Sequence, residues 1–210
     1  MFLLFTTFLF ISQSISAVHV RNTTTNDLDF IRTSCNATEY PDLCVTSLSR
    51  YASAVHKSPA KLAKLAIRVS MSEAKSTAGF LSKLTKSAVA VTAKHSQGEI
   101  TRAAIRDCVS NVEEAIDYMR DSLRQLGNKN GTCDGVTVGG PVETFRCQMN
   151  NVQTYMTAAM TMEETCTDGF DEMQKPVRII NTTVRPRVEQ VKRVTSNALA
   201  LVVAYANGGP

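Results

Sequence analysis

Three groups of carboxylates are the first candidates for chemistry in this 210-residue chain. Glu113 and Glu114 precede Asp117 by one helical turn, Glu163 adjoins Glu164, and Asp168 lies one turn before Asp171. Two carboxylates facing each other across a cleft serve as acid and base or nucleophile on a glycosidic bond. Here each pair lies within a helical pattern and reads as a solvated helix face or helix end, and a helical bundle of this size offers no sugar cleft. His19, His56 and His95 fall in a tail, at a helix end and in a loop, none beside a cysteine at metal-ligand spacing. No Gly-x-Ser-x-Gly and no phosphate-cradling glycine loop occurs, and no cofactor or metal is expected. Met149 and Met156 share a helical stripe and read as core filler. With no nucleophile, base and oxyanion donor converging, the chain reads as a binding protein and not as an enzyme.

The six cysteines carry a different chemistry. Their even number suits a disulfide framework, and oxidised sulfurs are neither ligands nor nucleophiles. Export fits this reading. Phe2–Ile11 is an apolar run followed by Ser16-Ala17, so residues 1–17 read as a secretory signal peptide, although no Lys or Arg precedes the run. The run is too short for a membrane span, which needs about 20 apolar residues. Four Asn-x-Thr sequons, at Asn22, Asn36, Asn130 and Asn181, are candidate glycan acceptors on the secretory route. The mature chain is thus expected outside the cell and away from the membrane.

The elements that position these groups are helical. Hydrophobic residues make up 43% of the chain, aromatics only 6%, and tryptophan is absent, which suits closely packed helices with small interface residues. The formal charge of +4 is interspersed with acidic residues and lacks aromatic interleaving, so no nucleic-acid partner is expected. The organising stretch is Cys147–Cys166. Phe145, Met149, Val152, Met156 and Ala159 form an inward stripe at steps of four and three, and Gly169 supplies a stop, giving a helix over about 142–166. A clearer stripe, Ile105 through Leu126, predicts a helix over 99–126 that ends at Gly127.

Upstream, residues 18–26 read as a mobile lead-in, and 27–57 as a small helical hairpin broken at Pro41. Cys35 and Cys44 flank that break, and a bond between them would close a loop worth roughly 2–3 kcal/mol. Ser58-Pro59 opens a long helix whose buried face is Leu62, Leu65, Val69, Phe80 and Leu84. Close or partly exposed packing is expected over 70–79, and Ser87–Gly98 reads as a fraying end and loop. Residues 127–141 read as a Gly- and Asn-rich loop around Cys133. A last helix is expected over 176–206, with Val177, Ile180 and Val184 inward and a kink or break near Thr183 caused by Pro186. The fold class is all-α: an up-down-up-down four-helix bundle over 58–206 with the hairpin appended.

Three segments then match a known pattern. Ile31-Arg-Thr-Ser-Cys-Asn-Ala-Thr-Glu-Tyr-Pro-Asp-Leu-Cys44 resembles the N-terminal signature of the plant invertase and pectin methylesterase inhibitor family. Asp107-Cys108 with Ala115, Asp117 and Leu123 is similar to its third-cysteine helix. Asn151–Ala159 leading to Thr165-Cys166-Thr-Asp-Gly-Phe170 is similar to its fourth-cysteine segment. The resemblance runs from about residue 27 to 206. It implies disulfides Cys35–Cys44 and Cys108–Cys166 and leaves Cys133 and Cys147, extra to the family pattern, to pair with each other.

It further implies that the chain inhibits a carbohydrate-active enzyme of the cell wall or apoplast. Asn151-Val-Gln-Thr-Tyr155 is more like the methylesterase inhibitors, though Tyr155 stands where many members carry tryptophan. The Pro-Lys-Phe motif of the invertase inhibitors is absent. The implied partner is a pectin methylesterase, with invertase, or a wall-binding role without inhibition, as alternatives. By similarity the bundle would cover the esterase's pectin-binding cleft. Ser110, Glu113, Glu114, Asp117, Thr165 and Asp168 would there stand in for the polymer's carboxylates and hydroxyls. Thr165 and Asp168 also suit the simpler role of finishing a helix.

Overall fold

The computed structural model describes residues 25–91, 96–128, 132–133, 135–137, 139–171, 173 and 178–209. The expected signal peptide, His19, Asn22, His95, Asn130 and Val177 lie outside the described residues. Helix α1 spans 25–35, so Thr25 and Asn26, expected in the lead-in, are already helical. Helix α2 (Pro41–Leu48) begins at the predicted proline, and the Cys35–Cys44 disulfide closes the turn with the two Cα atoms 5.6 Å apart. A short helical turn, Ser49–Tyr51, and helix α3 (Ala52–Val55) follow. His56 and Lys57 then take φ of 49° and 53°, and this left-handed pair redirects the chain.

The hairpin owns too little apolar surface for a core of its own, so Ile31, Cys35, Cys44, Leu48 and Val55 join the core of the bundle. One buried side chain clamps it there. Asn197 donates through Nδ2 to the Tyr40 carbonyl at 2.9 Å and accepts from the Tyr40 N–H through Oδ1 at 3.0 Å. Asn197→Ala removes both bonds and is expected to cost about 2 kcal/mol, read as a lowered urea midpoint. An unchanged midpoint would show that the hairpin is held by its apolar contacts alone.

Four long helices make the body: α4 (Pro59–Val91), α5 (Ser96–Gly127), α6 (Pro141–Asp171) and α7 (Arg185–Gly208). Helix α4 packs on α5 and α7, and α6 packs on the same two, so the four close into the ring expected of an up-down-up-down bundle. Ser58 caps α4 by accepting the Lys61 N–H at 3.3 Å, with Pro59 in the first turn as predicted. The buried face of α4 differs from the expectation. Leu62 and Leu84 are buried, but Leu65, Val69 and Phe80 are only half-buried, and the inward stripe is Ala63, Ile67, Ser70, Ala74, Thr77 and Leu81. Small residues dominate because α4 is wedged between two neighbours and its backbone must approach both. Helical structure also continues to Val91 and resumes at Ser96, so much of the expected loop is helix.

Helix α6 starts on one half of a capping box. Glu143 accepts the Gly140 N–H at 3.0 Å, and Pro141 occupies the first turn. It does not stop near Cys166. Gly169 lies within the helix, which runs on to Asp171 because Phe170, fully buried, continues the inward stripe. Burying that ring returns roughly 2–3 kcal/mol against about 1 kcal/mol for a helical glycine.

The break expected near Thr183 takes a definite form. Ile180–Val184 is a widened helical turn in which the Arg185 N–H donates to the Ile180 carbonyl five residues back. Pro186 has no N–H to give and its ring would clash with a regular preceding turn, so the extra residue accommodates it. Ile180 and Val184 both remain buried.

The stretch read as a loop holds a small ribbon. Thr132–Cys133 (β1) pairs antiparallel with Val136–Thr137 (β2), Thr132 opposite Thr137 and Cys133 opposite Val136. Gly135 takes φ 78°, as short hairpin connections require. The Cys133–Cys147 disulfide fixes the ribbon to α6, and Gln148 Nε2 donates to the Thr132 carbonyl at 3.0 Å.

Candidate functional site

Helices α5 and α6 lie antiparallel, joined at three levels. The Cys108–Cys166 disulfide brings their Cα atoms to 4.3 Å at one end. Midway, the rings of Tyr118 and Tyr155 stack with centroids 6.5 Å apart and planes 20° from parallel. Ser122, fully buried, lies 3.5 Å from the Val152 carbonyl at the other end. The covalent tie fixes the register, and the tyrosines, each half-exposed, crown the outer surface of the seam.

All six predicted binding positions are exposed, four on α5 and two on α6. Ser110, Glu114 and Asp117 follow one another at steps of four and three along one face of α5, with Glu113 beside them. Glu114 accepts the Tyr118 hydroxyl at 3.2 Å, and this bond holds the hydroxyl's pKa above the ordinary tyrosine value. Asp117 pairs with Arg120 on its own helix. On α6, Thr165 donates to the Thr161 carbonyl at 2.8 Å, so its proton is spent within the helix and its lone pairs face outward. Asp168 belongs to another side: its charge acts on Lys192 of α7, which binds Glu164 at 3.0 Å. The structure therefore sets four of these positions on one face of α5 and Thr165 on α6 next to the Cys108–Cys166 tie, with Asp168 apart, toward α7. Tyr118 is the site residue that the sequence reading missed. Its signal was a position four residues after Glu114 and, in antiparallel register, opposite Tyr155.

One carboxylate contradicts its expected place. Glu163 is fully buried, while Glu164 remains exposed. Counting on from Met156 and Ala159, position 163 falls on the inward stripe, between Ala159 and Cys166. Its Oε1 accepts the Thr195 hydroxyl at 2.8 Å, Thr195 lies 2.6 Å from the Ser70 hydroxyl, and Oε2 has no hydrogen-bond partner. Desolvation raises the Glu163 pKa from 4.5 to about 8, against the Thr195 bond and the Lys192 charge that lower it. The carboxyl is therefore neutral in the core of a bundle working below that pH. It faces α4 and α7 from inside and reaches no open surface.

Among the described residues no group of three His, Cys, Asp or Glu side chains could hold a metal, and no helix is long and apolar enough to cross a membrane. The fold has known counterparts. The family model described as plant invertase/pectin methylesterase inhibitor matches residues 29–201. Pectinesterase inhibitor 9 of Arabidopsis thaliana is 38% identical over 96% of this chain and 94% of its own length. Pectinesterase inhibitor 10 of the same plant is 35% identical over 86% of the chain, which spans about half, 52%, of that relative's length. In fold, the chain is similar to a mutant form of a pectin methylesterase inhibitor from Arabidopsis, with a TM-score of 0.56 at 18% identity, covering 84% of this chain and 94% of that one.

Proposed function

The chain belongs to the plant invertase/pectin methylesterase inhibitor family, and we propose that it is a secreted inhibitor of pectin methylesterase that docks its α5–α6 seam over the esterase's pectin-binding cleft. It acts by occupation, as an inhibitor and not as an enzyme. The observation that carries this reading is the seam itself, where acidic and hydroxyl side chains surround a half-exposed aromatic pair on two helices locked in register by a disulfide. Such a surface fits a cleft built for a polymer of carboxylates and hydroxyls. Glu113, Glu114 and Asp117 supply carboxylates, Ser110 and Thr165 supply hydroxyl oxygens, and Tyr118 with Tyr155 supplies the rigid apolar anchor that protein interfaces favour. Asp168, beside Lys192, would meet the partner at the rim. The apolar leader, the three disulfides and the exposed sequon residues Asn36 and Asn181 support action outside the cell, in the wall.

Tyr118→Ala with Tyr155→Ala is expected to weaken inhibition of a pectin methylesterase about tenfold or more, as loss of a central aromatic anchor does. Glu113→Lys with Glu114→Lys is expected to weaken it further by slowing association. Both are measured by titrating esterase activity with variants whose thermal unfolding matches the parent. Undiminished inhibition by both variants would move the interface away from this seam.

A further inference from the structure

We propose that the outward face of α4 is a docking strip for a linear polycarboxylate polysaccharide, the de-esterified product chain of the enzyme that this protein is inferred to inhibit. The inference rests on that reading for the identity of the polymer, and on the charge map for everything else. Helix α4 carries six cations against a single carboxylate, Glu73, whereas α6 carries four exposed carboxylates, Glu143, Glu164, Asp168 and Asp171, against Arg146 alone, its fifth, Glu163, being buried. The two helices lie diagonally across the ring, so the molecule has a basic side and an acidic side.

The α4 cations are also ordered. Lys61, Arg68 and Lys75 repeat at intervals of seven, and Lys86 falls on the same face, within about 40° of arc at 100° per residue. Together they span about 37 Å at 1.5 Å per residue. All four are exposed, and among the described residues none of them forms an ion pair. Off this helix, Arg32, Arg120, Arg124, Arg185 and Lys192 are each paired with a carboxylate.

An elongated, uncompensated row of charge fits a linear polyanion better than a compact anionic ligand. Its neighbours on the surface narrow the class. Ser72, Ser76 and Gly79 are exposed between the cations, small enough to admit sugar rings and polar enough to meet their hydroxyls. Among the described residues the large exposed hydrophobics, Ile100, Val136, Val142 and Val203, lie off α4, so the described part of this face lacks the apolar flank of a membrane-binding helix. Phe80, the one aromatic residue of α4, is half-buried and covered by the Arg187 guanidinium 4.0 Å from its centre, leaving no platform on which bases would stack. A pectinesterase, by its reaction, converts a neutral ester on the polymer into a carboxylate at every turnover. The polymer around an active esterase therefore acquires the charge that this strip complements, and the strip would hold the inhibitor there while the α5–α6 seam on other helices remained open to the enzyme.

The test immobilises fully de-esterified polygalacturonate and highly methyl-esterified pectin, and measures binding of the oxidised protein at about 50 mM and about 300 mM salt. Duplex DNA and anionic lipid vesicles serve as comparators. The parent protein is expected to bind the de-esterified chain, to bind the esterified one far more weakly, and to be released at the higher salt. Lys61→Gln, Arg68→Gln, Lys75→Gln and Lys86→Gln together are expected to weaken that binding about tenfold or more while esterase inhibition stays unchanged. Equal retention of the parent and the quadruple variant, or binding to DNA or vesicles as tight as to polygalacturonate, would overturn the proposal. Inhibition without polymer binding would refute the strip alone, whereas polymer binding without inhibition would refute the inhibitory reading.

Discussion

Replacing Cys108 and Cys166 together by alanine lowers the unfolding free energy by about 4 kcal/mol, the largest loss expected from any of the three disulfides. The bond closes a separation of 58 residues, against 9 for Cys35–Cys44 and 14 for Cys133–Cys147. In the chain-entropy account the stabilisation rises with the logarithm of the loop, so the shorter loops contribute about 3 kcal/mol each. The long loop also holds α5 against α6, so its removal loosens the surface inferred to contact the esterase. Guanidinium unfolding of the oxidised protein measures the first effect, and esterase titration at a temperature where the variant stays folded measures the second. A stability loss under about 1 kcal/mol, with inhibition intact, would mean that packing alone sets the α5–α6 register.

Glu163→Gln is expected to remove most of the pH dependence of stability between about pH 4.5 and about pH 8. The folded pKa of Glu163 is raised to about 8 from 4.5, so over that window the folded state binds a proton that the unfolded state has released. Stability from this group is fully present below the unfolded value and is lost as pH rises through the folded one. The loss amounts to about 3–5 kcal/mol for a carboxyl this deeply buried. Glutamine keeps the shape, still accepts the Thr195 hydroxyl and never ionises. The variant should therefore match the parent near pH 5 and exceed it by several kcal/mol near pH 8, read from denaturant midpoints at each pH. Parallel pH profiles for parent and variant would show that Glu163 ionises without penalty and that the core around it admits water.

These two sites mark how far the residues could be read before the structure. The stripes of α5 and α6 were legible because large apolar residues recur at steps of three and four. The pairing of the cysteines came from the family resemblance, since six cysteines by themselves leave the connectivity open. Glu163 was misread because a carboxylate was assigned to solvent by its chemistry, although its position continued the stripe through Ala159 and Cys166. The face of α4 was misplaced for the complementary reason: Leu65, Val69 and Phe80 drew attention by size, while the close approach of two neighbouring helices demanded Ala63, Ser70 and Ala74. Gly169 suits a helix stop by its type, yet Phe170, just beyond it, supplies the burial that carries the helix on. The ribbon around Cys133 had a visible sign, the Asp-Gly pair between Cys133 and Val136, which is the common signature of a two-residue hairpin connection. Pro186 was legible as a disturbance, but the widened turn that absorbs it depends on keeping Ile180 and Val184 inward, a tertiary demand. Of the candidate site, the α5 acidic positions come from the family resemblance and lie exposed, while Tyr118 becomes visible only once the antiparallel register sets it against Tyr155.

The function inferred for this bundle is inhibition of a pectin methylesterase through a stoichiometric complex. The most direct measurement is a paired titration of the secreted, oxidised protein against a plant pectin methylesterase and an acid invertase between about pH 5 and about pH 7. Saturable loss of esterase activity at one inhibitor per enzyme, with invertase untouched, is the expected result. Loss of invertase activity alone would contradict the assigned target while leaving the family intact, and no response from either enzyme would contradict the inhibitory function itself.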